Sequence, residues 1–161
     1  MRIIDADGHV LERDIPWADL LEAPYRDRAP RAVKDNRGFT FVMMEGKLTP
    51  KPVGKACSFV GAPRSHSPQA TTGMTDPVQR LKDMDLEGID TAVLFGTSPF
   101  LSLPFVEDKD LASAVARVYN NWLAGYCNTD LRRLKGVAAV AIQDPVEAVK
   151  ELRRAVQELK F

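Results

Sequence analysis

The sequence predicts a parallel α/β fold, and three observations predict it. Two short apolar runs, Thr91-Ala92-Val93-Leu94-Phe95-Gly96 and Gly136-Val137-Ala138-Ala139-Val140-Ala141-Ile142, have strand length and little alternation, the pattern of strands covered by helices on both faces. Each is followed by a segment with helical spacing. A third apolar start, Ile3-Ile4, runs into Asp5-Ala6-Asp7-Gly8-His9 and reads as a strand ending in polar residues. Strand, helix, strand, helix is the order of a parallel sheet with right-handed crossovers.

At the amino end, side chains alternate across a strand, so Asp5, Asp7 and His9 share one side if the extended conformation persists through Gly8. A carboxylate and an imidazole so placed make half of a metal site. The competing reading is a turn at Asp7-Gly8 with His9 on the surface. Next, Asp14 as a cap and Pro16 in a first turn predict a short helix carrying Trp17, Leu20 and Leu21 and ended by Pro24. Prolines at 30, 50, 52, 63 and 68 then break the pattern, and Phe39-Thr40-Phe41-Val42-Met43-Met44 before Glu45-Gly46 reads as a hairpin inside a long loop.

Regularity returns at Thr75. Asp76-Pro77-Val78-Gln79 supplies a cap, a proline at the first helical position and a glutamine at the third, with Val78, Leu81 and Met84 at helical spacing before Gly88. Leu111, Val115, Val118 and Trp122 predict a long helix over 108–126. Asp144-Pro145-Val146-Glu147 opens a last helix whose apolar positions are Val149, Leu152, Val156 and Leu159. The chain reads as one domain, with the first strand and its polar motif over 1–12, an insertion over 13–74, and a helix plus two strand–helix units over 75–161.

Composition narrows the function. With 22 basic and 22 acidic residues and 45% hydrophobic content, nothing favours nucleic acid or a membrane surface, and a small-molecule substrate is the natural class. No run approaches membrane-span length, and Asp5 and Asp7 stand where a signal peptide needs its apolar stretch. Cys57 and Cys127 lack disulfide or zinc spacing and read as free thiols in a reducing compartment, so a cytoplasmic protein is expected.

In parallel α/β folds the site lies at the carboxyl ends of the strands. That selects Asp7 and His9 from the first strand, Gly96, Thr97, Ser98 and Phe100 from the second, and Gln143 from the third. Thr97 and Ser98 fit either substrate oxygens or an ordinary polar loop before Pro99, and Gln143 either substrate or the following helix start. Arg64 and His66 lie in a proline-rich stretch that is a surface connector or a lid reaching a substrate carboxylate. Glu12 is either a solvated charge or a group that orients the imidazole from behind.

Three segments, Asp5-Ala6-Asp7-Gly8-His9-Val10-Leu11-Glu12, the stretch Arg80-Leu81-Lys82-Asp83-Met84-Asp85-Leu86-Glu87-Gly88-Ile89-Asp90 leading into Thr91-Ala92-Val93-Leu94-Phe95, and Tyr119-Asn120-Asn121-Trp122, carry a resemblance. The chain resembles the amidohydrolase-related family, the branch of the amidohydrolase superfamily that includes aminocarboxymuconate-semialdehyde decarboxylase and the resorcylate-type decarboxylases. The resemblance implies a metal-dependent (β/α)8 TIM barrel whose first strand gives a His-x-His, or a carboxylate-x-His variant, to one divalent ion. Asp7 and His9 occupy those positions, and a carboxylate first leaves Zn and Mn both open. It further implies histidine ligands from middle strands and an acid or base aspartate from the last strand, expected beyond residue 161.

A complete barrel of this kind takes about 250 residues. The chain is therefore expected to be its N-terminal part, about three parallel strands with helices plus a long insertion after the first strand. Two readings follow. The first is a metal-dependent hydrolase or non-oxidative decarboxylase acting on a small carboxylate or cyclic substrate, with the 161 residues inactive by themselves. The second is a non-catalytic partial-barrel module that needs an oligomer or the missing C-terminal part of the barrel for stability.

Overall fold

The structure, a computed structural model, describes residues 1–37, 40–48 and 72–161. In chain order the elements are β1 (Ile4–His9), α1 (Trp17–Leu20), β2 (Arg31–Lys34), β3 (Thr40–Met44), β4 (Lys47–Leu48), α2 (Pro77–Glu87), β5 (Thr91–Phe95), α3 (Ser98–Ser102), α4 (Lys109–Cys127), β6 (Leu134–Gly136) and α5 (Pro145–Gln157). Strands β1, β5 and β6 form a parallel sheet in that order. Arg133 holds its amino end, donating to the Ile89 and Asp90 carbonyls and pairing with Asp85 at 2.6 Å.

Burial on this sheet is one-sided. Ala92 and Leu94 are sealed in a core with Leu111, Val115, Leu123 and Leu134, whereas Val93 and Phe95 are half-buried. The near-continuous apolar run of β5 had implied cover on both faces; the second face here is only partly covered. His9 pairs in register with Phe95 and packs on its ring, so the imidazole belongs to this more open face.

The third strand comes earlier than the apolar run suggests. β6 ends at Gly136, and only the Val137 amide continues the pairing, to the Leu94 carbonyl. β6 has no strand on its other side among the described residues, so the run past 137 lacks a ladder to join. Asn120 of α4, fully buried, takes the ladder's place. Its side-chain oxygen accepts from the Ala139 amide at 2.8 Å, and its amide group donates to the Ala139 carbonyl at 2.8 Å and to Glu151 at 2.7 Å.

The three long helices each carry an aspartate cap, at Asp76 and Asp144 as the sequence predicts. Asp76, Asp108 and Asp144 each accept from two backbone amides of the first turn, and Gly88 closes α2 in the left-handed conformation at φ 71°. Gln79 does not complete a reciprocal box: its amide points down the helix to Asp83. Asp14 does not cap α1, because Ile15 is extended before Pro16 and the helix begins only after the proline. Leu20 faces outward, while Trp17 and Leu21 are buried.

The insertion contains the expected hairpin, β3–β4, and a further strand, β2, that pairs antiparallel with β3. Arg31, Ala32 and Lys34 of β2 are exposed, so no apolar alternation announced it. Glu45 and Gly46 both take positive φ, 53° and 73°, the conformation of a tight two-residue hairpin turn. The Glu45 carboxylate accepts from the amides of Glu107 and Asp108 at 2.8 and 3.0 Å, and Arg28 pairs with Asp108 at 2.8 Å. The small sheet is thereby fastened to the start of α4.

Helix α5 runs against its own pattern. Glu151 and Ala155 are the buried residues, and Val149, Leu152 and Val156, at 44%, 50% and 54% exposure, form an outward apolar stripe. The Asn120–Glu151 bond and the Glu151–Arg154 pair hold the polar side inward. Cys127 is a free, buried thiol pushed up to about 12 by burial; Cys57 lies outside the described residues.

Burial pushes the Glu151 carboxyl up, but the bonds from Arg154 and Asn120 outweigh it and hold the group below its ordinary value. A depressed carboxyl contributes stability that is present above its unfolded value and lost as pH falls through the folded one. Thermal melts between about pH 5 and pH 3 are therefore expected to fall more steeply for the native protein than for Glu151→Gln. Asn120→Ala leaves the Ala139 amide and carbonyl without their partner and is expected to cost about 2–4 kcal/mol in urea unfolding.

Candidate functional site

The site starts from an irregularity in β1. In the pairing with β5, Ile4 and Asp5 face Thr91 and Ala92, while Gly8 and His9 face Leu94 and Phe95, so Ala6 and Asp7 together oppose one residue. This is a β-bulge, a common means of re-aiming a side chain at a sheet end. Asp5 therefore does not join Asp7 and His9 on a common face; its carboxylate turns back to accept from the Asp7 amide at 3.1 Å. The turn-like bond and the strand coexist.

What the bulge brings together is Asp7 and His9. Asp7 Oδ1 lies 3.6 Å from His9 Nε2, with the carboxylate 91% and the imidazole side chain 36% exposed. Two donors each about 2.1 Å from a tetrahedral ion sit about 3.4 Å apart, so the pair is spaced for one divalent cation. His9 Nδ1 lies 3.2 Å from the Gly96 carbonyl oxygen. A carbonyl only accepts, so Nδ1 carries a proton, and in the neutral imidazole the lone pair then lies on Nε2, the nitrogen nearer Asp7, as metal-binding imidazoles require.

The His9 backbone is fixed as well. Arg80 of α2 donates to the His9 carbonyl and, through Nε, to the Gly73 carbonyl. The Val10 amide donates to the Phe95 carbonyl at 2.9 Å. Gly96 was selected from sequence only as a position at the strand end and Arg80 had no site role there, because each acts through a long-range backbone contact. A helix that packs directly before β5 was the available hint for Arg80.

The remaining candidates are placed differently. The Thr97 hydroxyl donates to the Val10 carbonyl at 2.7 Å, which commits its proton to the fold. Ser98 begins α3, and Phe100 packs on the Tyr119 ring with centroids 5.4 Å apart. The Gln143 amide donates to the Leu103 and Val106 carbonyls, tying down the turn before α4, while Asp144 alone caps α5; the Gln143 oxygen is buried without a partner among the described residues. Glu12 is buried rather than solvated, and its carboxylate accepts from the amides of Thr97 and Phe100. Arg64 and His66 lie outside the described residues. Among the described residues no group of three or more His, Cys, Asp or Glu side chains is placed to hold a metal, so the described portion supplies two donors.

A three-stranded parallel α/β sheet of order β1-β5-β6 defines the class: the opening part of a parallel barrel. The chain belongs to the amidohydrolase family, whose model matches residues 4–161. Over 82 residues, about half of this chain, it is 39% identical to gamma-resorcylate decarboxylase of Rhodococcus jostii and 38% identical to that of Rhizobium radiobacter. The matched stretch covers 24% of each of those relatives.

Among solved structures, 5-carboxyvanillate decarboxylase of Novosphingobium aromaticivorans, complexed with manganese and 4-hydroxy-3-methoxy-5-nitrobenzoic acid, matches with TM-score 0.58 and 28% identity, covering 99% of this chain and 40% of that one. An amidohydrolase of Mycobacterium avium subsp. paratuberculosis shares the fold with TM-score 0.68 at 18% identity, covering 96% of this chain and 47% of its own. The chain thus spans less than half of the solved barrels it matches, and its three parallel strands are the N-terminal part of such a barrel.

Proposed function

We propose that this chain is the metal-bearing front portion of a non-oxidative decarboxylase acting on a hydroxylated aromatic carboxylate. The observation that carries the reading is the Asp7–His9 pair, spaced for one ion and with its imidazole tautomer set from behind. The relatives that are decarboxylases of resorcylate and carboxyvanillate favour decarboxylation over hydrolysis. A divalent ion, manganese or zinc, would supply there a Lewis-acidic charge for the substrate carboxylate and a neighbouring oxygen.

The chain's own residues do the rest by position. Asp7 would be one ligand of the ion and would partly neutralise its charge. His9 presents Nε2 without adjustment, since Gly96 and Arg80 fix ring and backbone. Phe95, beside the imidazole, offers an apolar surface of the kind an aromatic substrate ring packs on.

The test uses the protein with its complete barrel. Manganese content and carbon dioxide release from 2,6-dihydroxybenzoate and 5-carboxyvanillate are measured for the native protein, Asp7→Ala and His9→Ala. Each substitution is expected to weaken metal binding at least tenfold and to lower turnover by 100-fold or more, on the order of what loss of one ligand or its support does. Retention of both metal and turnover in the double variant would refute the assignment.

A second reading rests on the apolar stripe of α5 and the outer edge of β6, both of which a closed barrel covers. On that reading the 161 residues alone form a module that associates with a second copy or with the rest of a barrel. Sedimentation of the isolated chain is expected to show self-association that Leu152→Glu reduces; a monodisperse native monomer would sink this reading.

A further inference from the structure

We propose that Glu12 is a positioning residue for His9, acting through the peptide bond between Gly96 and Thr97. The inference deepens the metal-pair reading of Asp7 and His9 and rests on it. Glu12 and His9 grip opposite ends of one peptide unit. The buried Glu12 carboxylate accepts from the Thr97 amide at 2.8 Å, and the carbonyl of the same unit, that of Gly96, lies 3.2 Å from His9 Nδ1. A peptide unit is planar, with its N–H and C=O directed to opposite sides, so anchoring the N–H fixes where the carbonyl points.

Three further contacts make the anchor specific. The same Glu12 oxygen accepts from the Phe100 amide at 3.3 Å, so the carboxylate also gathers the first turn of α3. The Thr97 hydroxyl ties that turn to the Val10 carbonyl. Position 96 has no room for a side chain: a Cβ there would lie 2.5 Å from Glu12 Oε1 and from Phe100 Cβ, and 2.8 Å from the Tyr119 ring. Glycine lets the carboxylate approach the strand end closely enough to hold the peptide.

The chemical consequence concerns the imidazole. A negative charge at the N–H end polarises the peptide and strengthens its carbonyl as an acceptor. The Nδ1 proton of His9 is held more firmly, and Nε2 stays free for the cation. Glu12 thus sets the tautomer of His9 without touching the ring through these bonds.

The experiment reads the tautomer and the affinity separately in Glu12→Ala, Glu12→Gln and Arg133→Ala, the last as a control at the far end of the sheet. Nitrogen-15 NMR of metal-free protein, with His9 assigned by the peaks lost in His9→Asn, is expected to show the Nδ1–H form in the native protein and in Arg133→Ala. Glu12→Ala is expected to show a mixture. Glu12→Gln, which keeps an oxygen acceptor and preserves the fold, is expected to lie between them. Manganese affinity, read from the electron paramagnetic resonance of free Mn²⁺, is expected to fall about 10–100-fold in Glu12→Ala and a few-fold in Glu12→Gln. Native tautomer and affinity within about twofold in both Glu12 variants, or an equal change in Arg133→Ala, overturns the positioning role. A tautomer that follows Glu12 in a protein that binds no manganese supports the positioning role and refutes the metal reading instead.

Discussion

The arrangement depends on the parallel pairing of β1 with β5. His9 and Gly96 are 87 residues apart, and the contacts that shape the site, from Val10 to Phe95, Thr97 to Glu12 and Arg80 to the His9 carbonyl, all span the insertion. Closing so long a loop costs entropy that grows only slowly with its length, so the insertion is tolerated once the strands are joined. The pairing is non-local, and loop-closure entropy is met before its contacts reward it. The insertion is not left loose where it is described: the Glu45 turn and Arg28 fasten it to the first residues of α4.

The second constraint is a buried amide. Beyond the Val137 amide, among the described residues, the chain has apolar side chains to bury and backbone groups with no neighbouring strand. Asn120 satisfies one donor and one acceptor of Ala139 as a ladder partner would, and its remaining bond recruits Glu151. Burying Glu151 in turn requires Arg154, and this chain of requirements turns the polar side of α5 inward. One asparagine therefore decides which face of a helix about 20 Å long is left apolar and outward, a length that follows from its 13 residues at about 1.5 Å each.

Local chemistry was legible in the sequence, and non-local geometry was not. Asp76 and Asp144 announced their helices because a cap bonds within three residues of itself. The Asp7–His9 pair was legible because spacing and an apolar lead-in suffice to place two side chains at a strand end. The bulge that brings them together was not, since a bulge is a property of two strands, and Asp5 was wrongly grouped with them for that reason. The start of β6 was misplaced because the apolar run 136–142 reports burial, while strand assignment reports pairing, and Ala139 and Ala141 are buried without it. Glu12 was weighed as a solvated charge or as a group orienting the imidazole from behind; its bonds to Thr97 and Phe100 lie across 85 residues or more and leave no trace in spacing.

The hairpin turn has a consequence for how anions are sorted. The start of a 19-residue helix such as α4 is a natural socket for a carboxylate or phosphate, with unpaired amides and a favourable dipole. Here the chain plugs its own socket: Asp108 takes the amides of Asp110 and Leu111, and Glu45 takes those of Glu107 and Asp108. The described amides at this helix start are thus taken by the chain's own carboxylates, and an anion from outside finds few of them open.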